Sequence, residues 1–382
     1  MGEDVYVVGV GIHPFGRGED TTGHRMAEHA VREALADAGV TWADVDYAVG
    51  GSNAAGKPDT LVGQLGLTGV PFVTVRNGCA TGGVGLLTAA SAIRAGEATL
   101  AVVIGFDKHA RGAFASSPAD YGLPSWYAET GMMSTTQYFA MKTRRYLHEH
   151  SIPDEVLAAS AARSFRNGAR HPMAWRRTAM SEAEIRDATT VNPPLTKYMF
   201  CSPSAGAAAL VLCGSGRARD LCDRPIRLAA ATMRSRGHGS FEVYSPSLSI
   251  EPGHNVTVDA AAAAFARAGI APGEVRVAQV QDTDSGSEVI HLAETGLCEH
   301  GEQAELISSG ATEIDGRLPI NTDGGCIANG EPIGASGLRQ VHEVVRQLQG
   351  RALGAQVPGG PAVGFTQVYG APGISACTVL TR

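Results

Sequence analysis

The amino-acid sequence predicts an α/β fold built from two related halves, in which two mixed sheets and their helices form the five layers α/β/α/β/α. Two observations lead to this fold class. Strand-like and helix-like segments alternate along most of the 382 residues, and the order helix, glycine-rich turn, hydrophobic strand occurs twice. Because each sheet buries its faces against helices, two such sheets need helices outside and between them.

The repeat is clearest in two segments that share the pattern N-G-x-x-x-G-x-x-G-L. Residues 77–86 carry Cys79, and residues 329–338 carry Glu331 at the same place in the pattern. A glycine-rich turn that opens a helix leaves backbone N–H groups without partners. If the two copies meet across an internal two-fold axis, a thiol and a carboxylate face one pocket, as chemistry at an acyl carbon requires.

Two weaker matches extend the repeat in the same order. Residues 34–40 match residues 264–270 at the end of a helix, and residues 103–106 match residues 362–365 in a hydrophobic strand. Three matches in one order favour duplication over chance.

We therefore expect an N-terminal half, residues 1–218, and a C-terminal half, residues 219–382. Residues from about 110 to 200 break the alternation and have no counterpart in the second half. They are interpreted as an inserted loop domain, with a helix over residues 136–150.

The elements of the first half follow from hydrophobic spacing. Residues 26–38 place apolar side chains at helical intervals before Gly39, and residues 82–95 predict a small-residue helix buried between sheets. Residues 100–105 form the continuous apolar run that is typical of a central parallel strand. The remaining predicted strands are residues 5–11, 45–49, 72–75 and 205–213.

The second half repeats this order from about residue 225. Residues 258–268, 288–296 and 338–348 predict helices, the last of them after a glycine-rich turn over residues 321–337. Glycine and proline in residues 369–373 indicate a hairpin between the last two strands. The predicted strands are residues 226–231, 275–280, 361–364 and 374–380.

Composition and charge exclude several classes of protein. A net charge of −7 argues against nonspecific binding of nucleic acid. No signal peptide and no apolar run long enough for a bilayer are visible, so we expect no membrane partner. The seven cysteines include no C-x-x-C, and the histidines form no metal pair, so we expect no metal, no disulfides and a cytoplasmic location.

Cys79 is the candidate nucleophile. It lies where a strand turns into a helix, and the N-terminus of a helix stabilises a thiolate and lowers the pKa of a thiol. A thiolate attacks a thioester carbonyl, and the same backbone N–H groups hold the oxyanion that forms. The alternative is that Cys79 is a small core residue.

The Cys79 turn and the motif N-x-D-G-G-x-x-x-N-G-E-P-x-G-A-S-G at residues 321–337 resemble the thiolase superfamily, most of all its sterol-carrier or lipid-transfer branch. The resemblance covers nearly the whole chain. It implies the duplicated five-layer thiolase fold, a homodimer or larger assembly, and acyl-CoA substrates, with coenzyme A entering as the substrate thioester. In this family the cysteine takes an acyl group, which a second thioester's carbanion or free coenzyme A receives.

Three departures from the family pattern concern the site. Glu331 replaces the usual histidine, and it either donates a hydrogen bond to the oxyanion as a neutral acid or acts as an ionised general base. Val368 stands where many thiolases carry a second cysteine; the adjacent Tyr369 either supplies a phenol or packs the hairpin. Gln281 takes the place of an asparagine or histidine that holds a water or thioester oxygen.

Three further interpretations concern the oxyanion hole, a histidine and a group of arginines. By resemblance, the N–H groups of Gly370 and Cys79 form the oxyanion hole. His109 follows the strand over residues 100–105 and either reaches the pocket or, as the sequence favours, lies at the surface. Arginines in residues 163–177 either hold coenzyme A phosphates or line a solvated helical face.

The predicted function is a thiolase-like acyltransferase that forms or cleaves a 3-oxoacyl-CoA through an acylated Cys79. One alternative is a carbon–carbon lyase that cleaves a β-hydroxyacyl-CoA by a retro-aldol reaction; such relatives lack the nucleophilic cysteine. A second alternative is a non-catalytic subunit that binds acyl-CoA or lipid. Members of this branch often pair with a small zinc-ribbon and OB-fold protein, so such a partner is also considered. Apolar side chains in the insertion, such as Met132, Met133 and Phe139, suggest a bulky acyl chain.

Overall fold

The computed structural model describes residues 3–114, 116–246 and 255–382. The strands of the first half are β1 Val5–Gly16, β2 Tyr47–Gly51, β3 Phe72–Val75, β4 Leu100–Lys108, β5 Thr190–Asn192, β6 Leu195–Thr196 and β7 Ala205–Gly214. Its helices are α1 Gly23–Asp37, α2 Val62–Leu65, α3 Thr81–Ala95, α4 Thr135–Glu149, α5 Glu155–Arg170, α6 Glu182–Arg186 and α7 Ser215–Leu221.

The second half follows with the same kinds of element. Its strands are β8 Ile226–Ser235, β9 Phe241–Glu242, β10 Ser245–Pro246, β11 Val277–Val280, β12 Val363–Gly370 and β13 Ile374–Thr381. Its helices are α8 Val256–Ala268, α9 Ser285–Glu294, α10 Gln303–Ser308, α11 Gly325–Asn329 and α12 Ser336–Gln349.

The strands of the two halves follow the same order. The first half runs β1-β7-β4-β2-β3 and the second β8-β13-β12-β11. In each half the first two neighbouring pairs are antiparallel and the next is parallel. Ile320 forms a parallel bridge to Ala278 of β11 and so takes the place that β3 has in the first half. The structure therefore confirms a duplicated scaffold.

One feature of the sheets differs from the sequence prediction. β1 and β8, the equivalent edge strands of the two halves, pair antiparallel through Tyr6 with Arg227 and Val7 with Ile226. The two predicted sheets are therefore continuous along this edge and form one nine-stranded sheet. The pairing satisfies backbone groups that two separate edge strands would leave exposed.

The helices complete the five layers. α1 packs on β1, β4 and β7, and α8 packs on β8 and β13, so these two helices form the outer layers. α3 and α12 contact strands of both halves and lie between them. All residues of α12 except Arg346 are buried, as expected of a helix in a central layer. The predicted α/β/α/β/α architecture is confirmed.

Glycines allow the two central helices to touch at their N-terminal ends. A β-carbon on Gly82 would lie 2.7 Å from the backbone nitrogen of Leu338, and one on Gly337 would lie 2.9 Å from that of Gly83. No larger residue fits without moving a backbone. Because the helices meet here, the turns that precede them, with Cys79 and Glu331, lie on the same side of the molecule.

The inserted segment joins two strands of the first half whose equivalents in the second half are joined by a short turn. Residues 109–204 connect β4 to β7 and contain α4, α5 and α6, whereas residues 371–373 alone connect β12 to β13. In the part of the chain that the structure describes, no helix has both the length and the apolarity needed to cross a bilayer.

Candidate active site

The two copies of the repeated pattern open into one cavity of about 720 Å³. A larger cavity, about 1080 Å³, lies along α4 but contains neither reactive residue, so the smaller one is the candidate site. Both halves and the insertion contribute to the smaller cavity. Its lining includes Asn53, Arg76, Cys79, His109, Arg111, Phe114, Tyr121, Phe139, Tyr244, Thr283, Glu331, Ile333 and Tyr369.

Cys79 lies in the turn before α3, which begins at Thr81. The residue keeps some exposed surface, yet enough protein surrounds its sulfur that burial raises the pKa of the thiol well above its ordinary value. The negative charge of Glu331 raises this pKa further. The predicted lowering of the thiol pKa by the helix N-terminus is therefore wrong. The resting cysteine is a thiol and needs a base.

Glu331 is held at the cavity by backbone and side-chain contacts. Its N–H donates to the carbonyl oxygen of Ser202 at 2.9 Å, and its Oε2 accepts a hydrogen bond from Gln281 Nε2 at 2.7 Å. Oε1 is buried and has no hydrogen-bond partner among the described residues. The carboxyl group therefore has one oxygen fixed by an amide and one oxygen left for the neighbouring thiol.

Gln281 does not line the cavity, in contrast to its predicted role of holding a water or substrate oxygen. It is fully buried, its side-chain amide donates to Glu331, and its backbone N–H donates to Gln367 Oε1 at 3.0 Å. An amide nitrogen only donates, so Gln281 orients Glu331 as an acceptor. Gln281 is a positioning residue behind the site.

Replacing Gln281 with leucine is expected to lower turnover by about tenfold or more, because a buried carboxylate oxygen would lose its donor and Glu331 its orientation. Steady-state kinetics would measure the loss. Gln303→Leu is a matched control, since Gln303 is equally buried but donates to Tyr146 and Val289. Equal losses in both variants would assign Gln281 to general stability.

Gly370 at the end of β12 lies directly against the Cys79 turn. A β-carbon there would lie 2.3 Å from the carbonyl oxygen of Asn77 and 2.7 Å from the nitrogen of Ala80. This close approach places the backbone of Gly370 beside that of Cys79, as a shared oxyanion hole requires.

Tyr369 lines the cavity with its ring, while its hydroxyl donates to Glu242 Oε2 at 2.6 Å. Burial, together with the charge of Glu242, raises the pKa of Tyr369 well above its ordinary value. The phenol therefore keeps its proton and shares it with Glu242 through this hydrogen bond. Of the two roles considered from the sequence, this geometry favours packing.

The structure decides between the two positions that the sequence left open for His109. Its side chain is only 9% exposed and lines the cavity, so the pocket position holds and the favoured surface position is wrong. Its place directly beyond the end of β4 was the available signal, since side chains that follow a central strand gather at one edge of the sheet.

Three of the arginines in residues 163–177 lie outside the cavity lining and contact other parts of the protein, whereas Arg170 and Arg177 are exposed. Arg163 is fully buried in an ion pair with Glu288, and Arg166 pairs with Glu313 at 2.6 Å. Arg176 donates to the carbonyl oxygens of Ile327 and Phe200. These three arginines tie α5 and the loop after it to the second half, so their role is structural.

Comparisons with known proteins cover both halves of the chain. Residues 5–178 match the family model described as thiolase, N-terminal domain, and residues 248–382 match the one described as thiolase C-terminal domain-like. An acetyl-CoA acetyltransferase of Methanothermobacter thermautotrophicus is 31% identical over 99% of this chain and 100% of its own length. Sterol carrier protein 2 of Gallus gallus is 31% identical over 94% of this chain and 68% of its own length.

A similarity of fold extends to solved structures. The solved structure of the Ltp2-ChsH2(DUF35) aldolase superposes with a TM-score of 0.88 and 24% sequence identity. The match covers 100% of this chain and 98% of the solved chain. At this identity the match concerns the fold alone.

Proposed function

The chain belongs to the thiolase family, and from that premise we propose that it is an acyltransferase that forms or cleaves a 3-oxoacyl-CoA through an acylated Cys79. The observation that carries the proposal is that Cys79 and Glu331, from the two copies of the repeat, line one cavity, where the charge of Glu331 acts on the thiol. The family's usual histidine is absent, so a carboxylate performs its part.

In the first half-reaction, Glu331 takes the proton of Cys79 while the sulfur attacks the thioester carbonyl. The free Oε1 of Glu331 supports the role of general base, one of the two considered from the sequence. The N–H groups of Cys79 and Gly370 hold the oxyanion. Collapse of this intermediate breaks the bond to the coenzyme A sulfur and leaves the acyl group on Cys79.

In the second half-reaction, a carbanion formed at the α-carbon of another acyl-CoA attacks the acylated cysteine, and Cys79 leaves with its electron pair. Thiolysis is the reverse sequence, with free coenzyme A as the nucleophile. Arg76 and Arg111 on the exposed rim of the cavity supply positive charge suited to the phosphates of coenzyme A. Phe114, Phe139 and Tyr369 support an acyl group larger than acetyl.

Intact-protein mass spectrometry after mixing with acetyl-, hexanoyl- and phenylacetyl-CoA tests this function. We expect one acyl adduct, mapped to Cys79 by peptide analysis, and preference for the larger acyl groups. A retro-aldol lyase would instead release two products from a β-hydroxyacyl-CoA without forming an adduct. A non-catalytic acyl-CoA-binding subunit would show neither adduct nor turnover.

We also propose that the protein forms a homodimer or larger assembly. β3 pairs with β2 alone among the described strands, so its other edge is available to a second copy. Phe72, Val73 and Val75 on this strand are half-buried, and Leu67 nearby is 84% exposed. Light scattering at micromolar concentration should give a molecular mass of at least twice the 39.6 kDa of the chain. Val73→Lys should shift the measured mass toward that of the monomer. A monomeric wild-type protein would contradict this.

A second proposal about assembly is a small partner protein of the zinc-ribbon and OB-fold class. It is supported by the branch that the sequence resembles and by the solved Ltp2-ChsH2(DUF35) aldolase, whose name joins two components. A cytoplasmic location stays a proposal as well.

A further inference from the structure

A histidine and an aspartate at the end of β4 form a second polar group in the cavity. Asp107 is fully buried, and its carboxylate accepts hydrogen bonds from the backbone N–H groups of Asn53, Ala54 and Gly334 at 2.7 to 3.0 Å. Burial alone would raise its pKa, but His109 and these backbone donors lower the pKa of Asp107 below its ordinary value. The carboxylate is therefore charged and fixed in place.

The ring of His109 lies beside the charged carboxylate of Asp107. Nε2 of His109 lies 3.5 Å from Asp107 Oδ2, is buried, and has no hydrogen-bond partner among the described residues. The ring also meets Phe114 edge-on, with centroids 5.3 Å apart. With Nε2 turned toward the carboxylate, Nδ1 is the nitrogen left for the cavity, which His109 shares with Cys79 and Glu331.

Two phenols in the cavity wall hold their protons. The hydroxyl of Tyr369 is bonded to Glu242, and burial raises the pKa of Tyr244. Val368, at the position of the family's second cysteine, is buried and packs against Gly83 and Gly337, so that side of the site is apolar. An imidazole, in contrast, is the side chain that most often takes or gives a proton in general acid–base catalysis.

The reaction of the proposed function moves protons at two places. The thiol of Cys79 must lose and regain one, and the α-carbon of the second acyl-CoA must lose one. Glu331 has a single unpartnered oxygen, and its charge acts on the thiol of Cys79, so we assign this carboxylate to the thiol proton. We propose that His109, oriented by Asp107, is the second acid–base residue and removes the proton from the α-carbon.

The proton balance closes over one cycle. Starting from imidazolium and carboxylate, Glu331 takes the Cys79 proton, the acyl–sulfur bond to coenzyme A breaks, and His109 Nδ1 protonates the departing sulfur. Neutral His109 then takes the α-proton of the incoming acyl-CoA. The electron pair of that C–H bond forms the new carbon–carbon bond, the bond to Cys79 breaks, and Glu331 returns its proton to the sulfur.

Comparison of the two half-reactions in His109→Gln tests this inference, which rests on the proposed function. The acyl-CoA that acylates wild-type Cys79 fastest is the probe. We expect condensation to 3-oxoacyl-CoA to fall by about 100-fold, the usual loss for an acid–base group. The rate of Cys79 acylation should stay within about tenfold of the wild-type rate. The leaving group in that step is coenzyme A, and a thiol with an ordinary pKa of about 8.5 leaves readily as a thiolate.

Two further variants make the result unambiguous. Added imidazole should restore condensation in His109→Ala, which a purely structural role would not allow. His148→Gln, on the exposed face of α4, should match the wild type in both half-reactions. A condensation rate within tenfold of wild type, or equal losses of acylation and condensation without rescue by imidazole, would overturn the role of His109. Absence of an acyl adduct in the wild type would instead refute the proposed function itself.

Discussion

Cys79→Ala is expected to abolish acyl transfer, with turnover reduced by at least about 10³-fold and no acyl adduct of any kind. The reason is that the sulfur forms the covalent bond of the intermediate, and removal of a nucleophile costs far more than removal of a group that assists it. Initial rates of 3-oxoacyl-CoA formation and thiolysis measure the loss, and intact mass shows whether another residue becomes acylated.

Cys222→Ala is the matched control for this variant. Cys222 is partly exposed like Cys79 but lies in a separate pocket beside Arg224 and Gln349. It should keep wild-type turnover and a full acyl adduct. Survival of turnover in Cys79→Ala would contradict the acyl-enzyme and favour the lyase, since a retro-aldol cleavage needs no covalent bond to sulfur.

Glu331→Gln is expected to reduce turnover by about 10²- to 10⁴-fold, the range for an acid–base group. The amide is nearly isosteric with the carboxyl group, but it cannot take the proton of Cys79. Its effect on the thiol itself should have the opposite sign. The charge of Glu331 raises the pKa of Cys79, so the variant should lower that pKa and increase the thiolate fraction at a given pH.

The rate of Cys79 alkylation by iodoacetamide as a function of pH measures this second effect. In the wild type the alkylation rate should keep rising above pH 9. Burial and the charge of Glu331 hold the pKa of the Cys79 thiol well above its ordinary value. In Glu331→Gln the curve should move to lower pH while turnover falls. An unmoved curve together with near-normal turnover would assign Glu331 to structure.

Glu343→Gln is the control for Glu331→Gln. It shows what the loss of a buried carboxylate does when that carboxylate lies away from the cavity. Glu343 is also buried, and it accepts hydrogen bonds from Thr322 and Gln347 away from the cavity. It should change thermal stability without moving the alkylation curve of Cys79. A similar loss of turnover in both glutamate variants would mean that folding, not proton transfer, explains the effect.

The scaffold is largely predictable because its signals are local. Hydrophobic spacing marks the outer helices that became α1 and α8, and the glycine patterns mark the turns before α3 and α12. The pairing of Cys79 with Glu331 follows from the same local repeat, because duplicated halves place equivalent turns together. The joint between β1 and β8 was not predictable, since strand pairing across more than 200 residues depends on how the halves dock.

The sequence by itself determined the duplication, the layered architecture and the two reactive groups that share a pocket, since each is written in residue types at regular spacing. Only the tertiary structure decided the protonation of Cys79, the withdrawal of Gln281 behind Glu331, the engagement of Tyr369 with Glu242 and the place of His109 in the cavity. These depend on burial and on contacts between residues far apart in the chain. Such contacts set the charge and orientation of a side chain, and no local pattern encodes them.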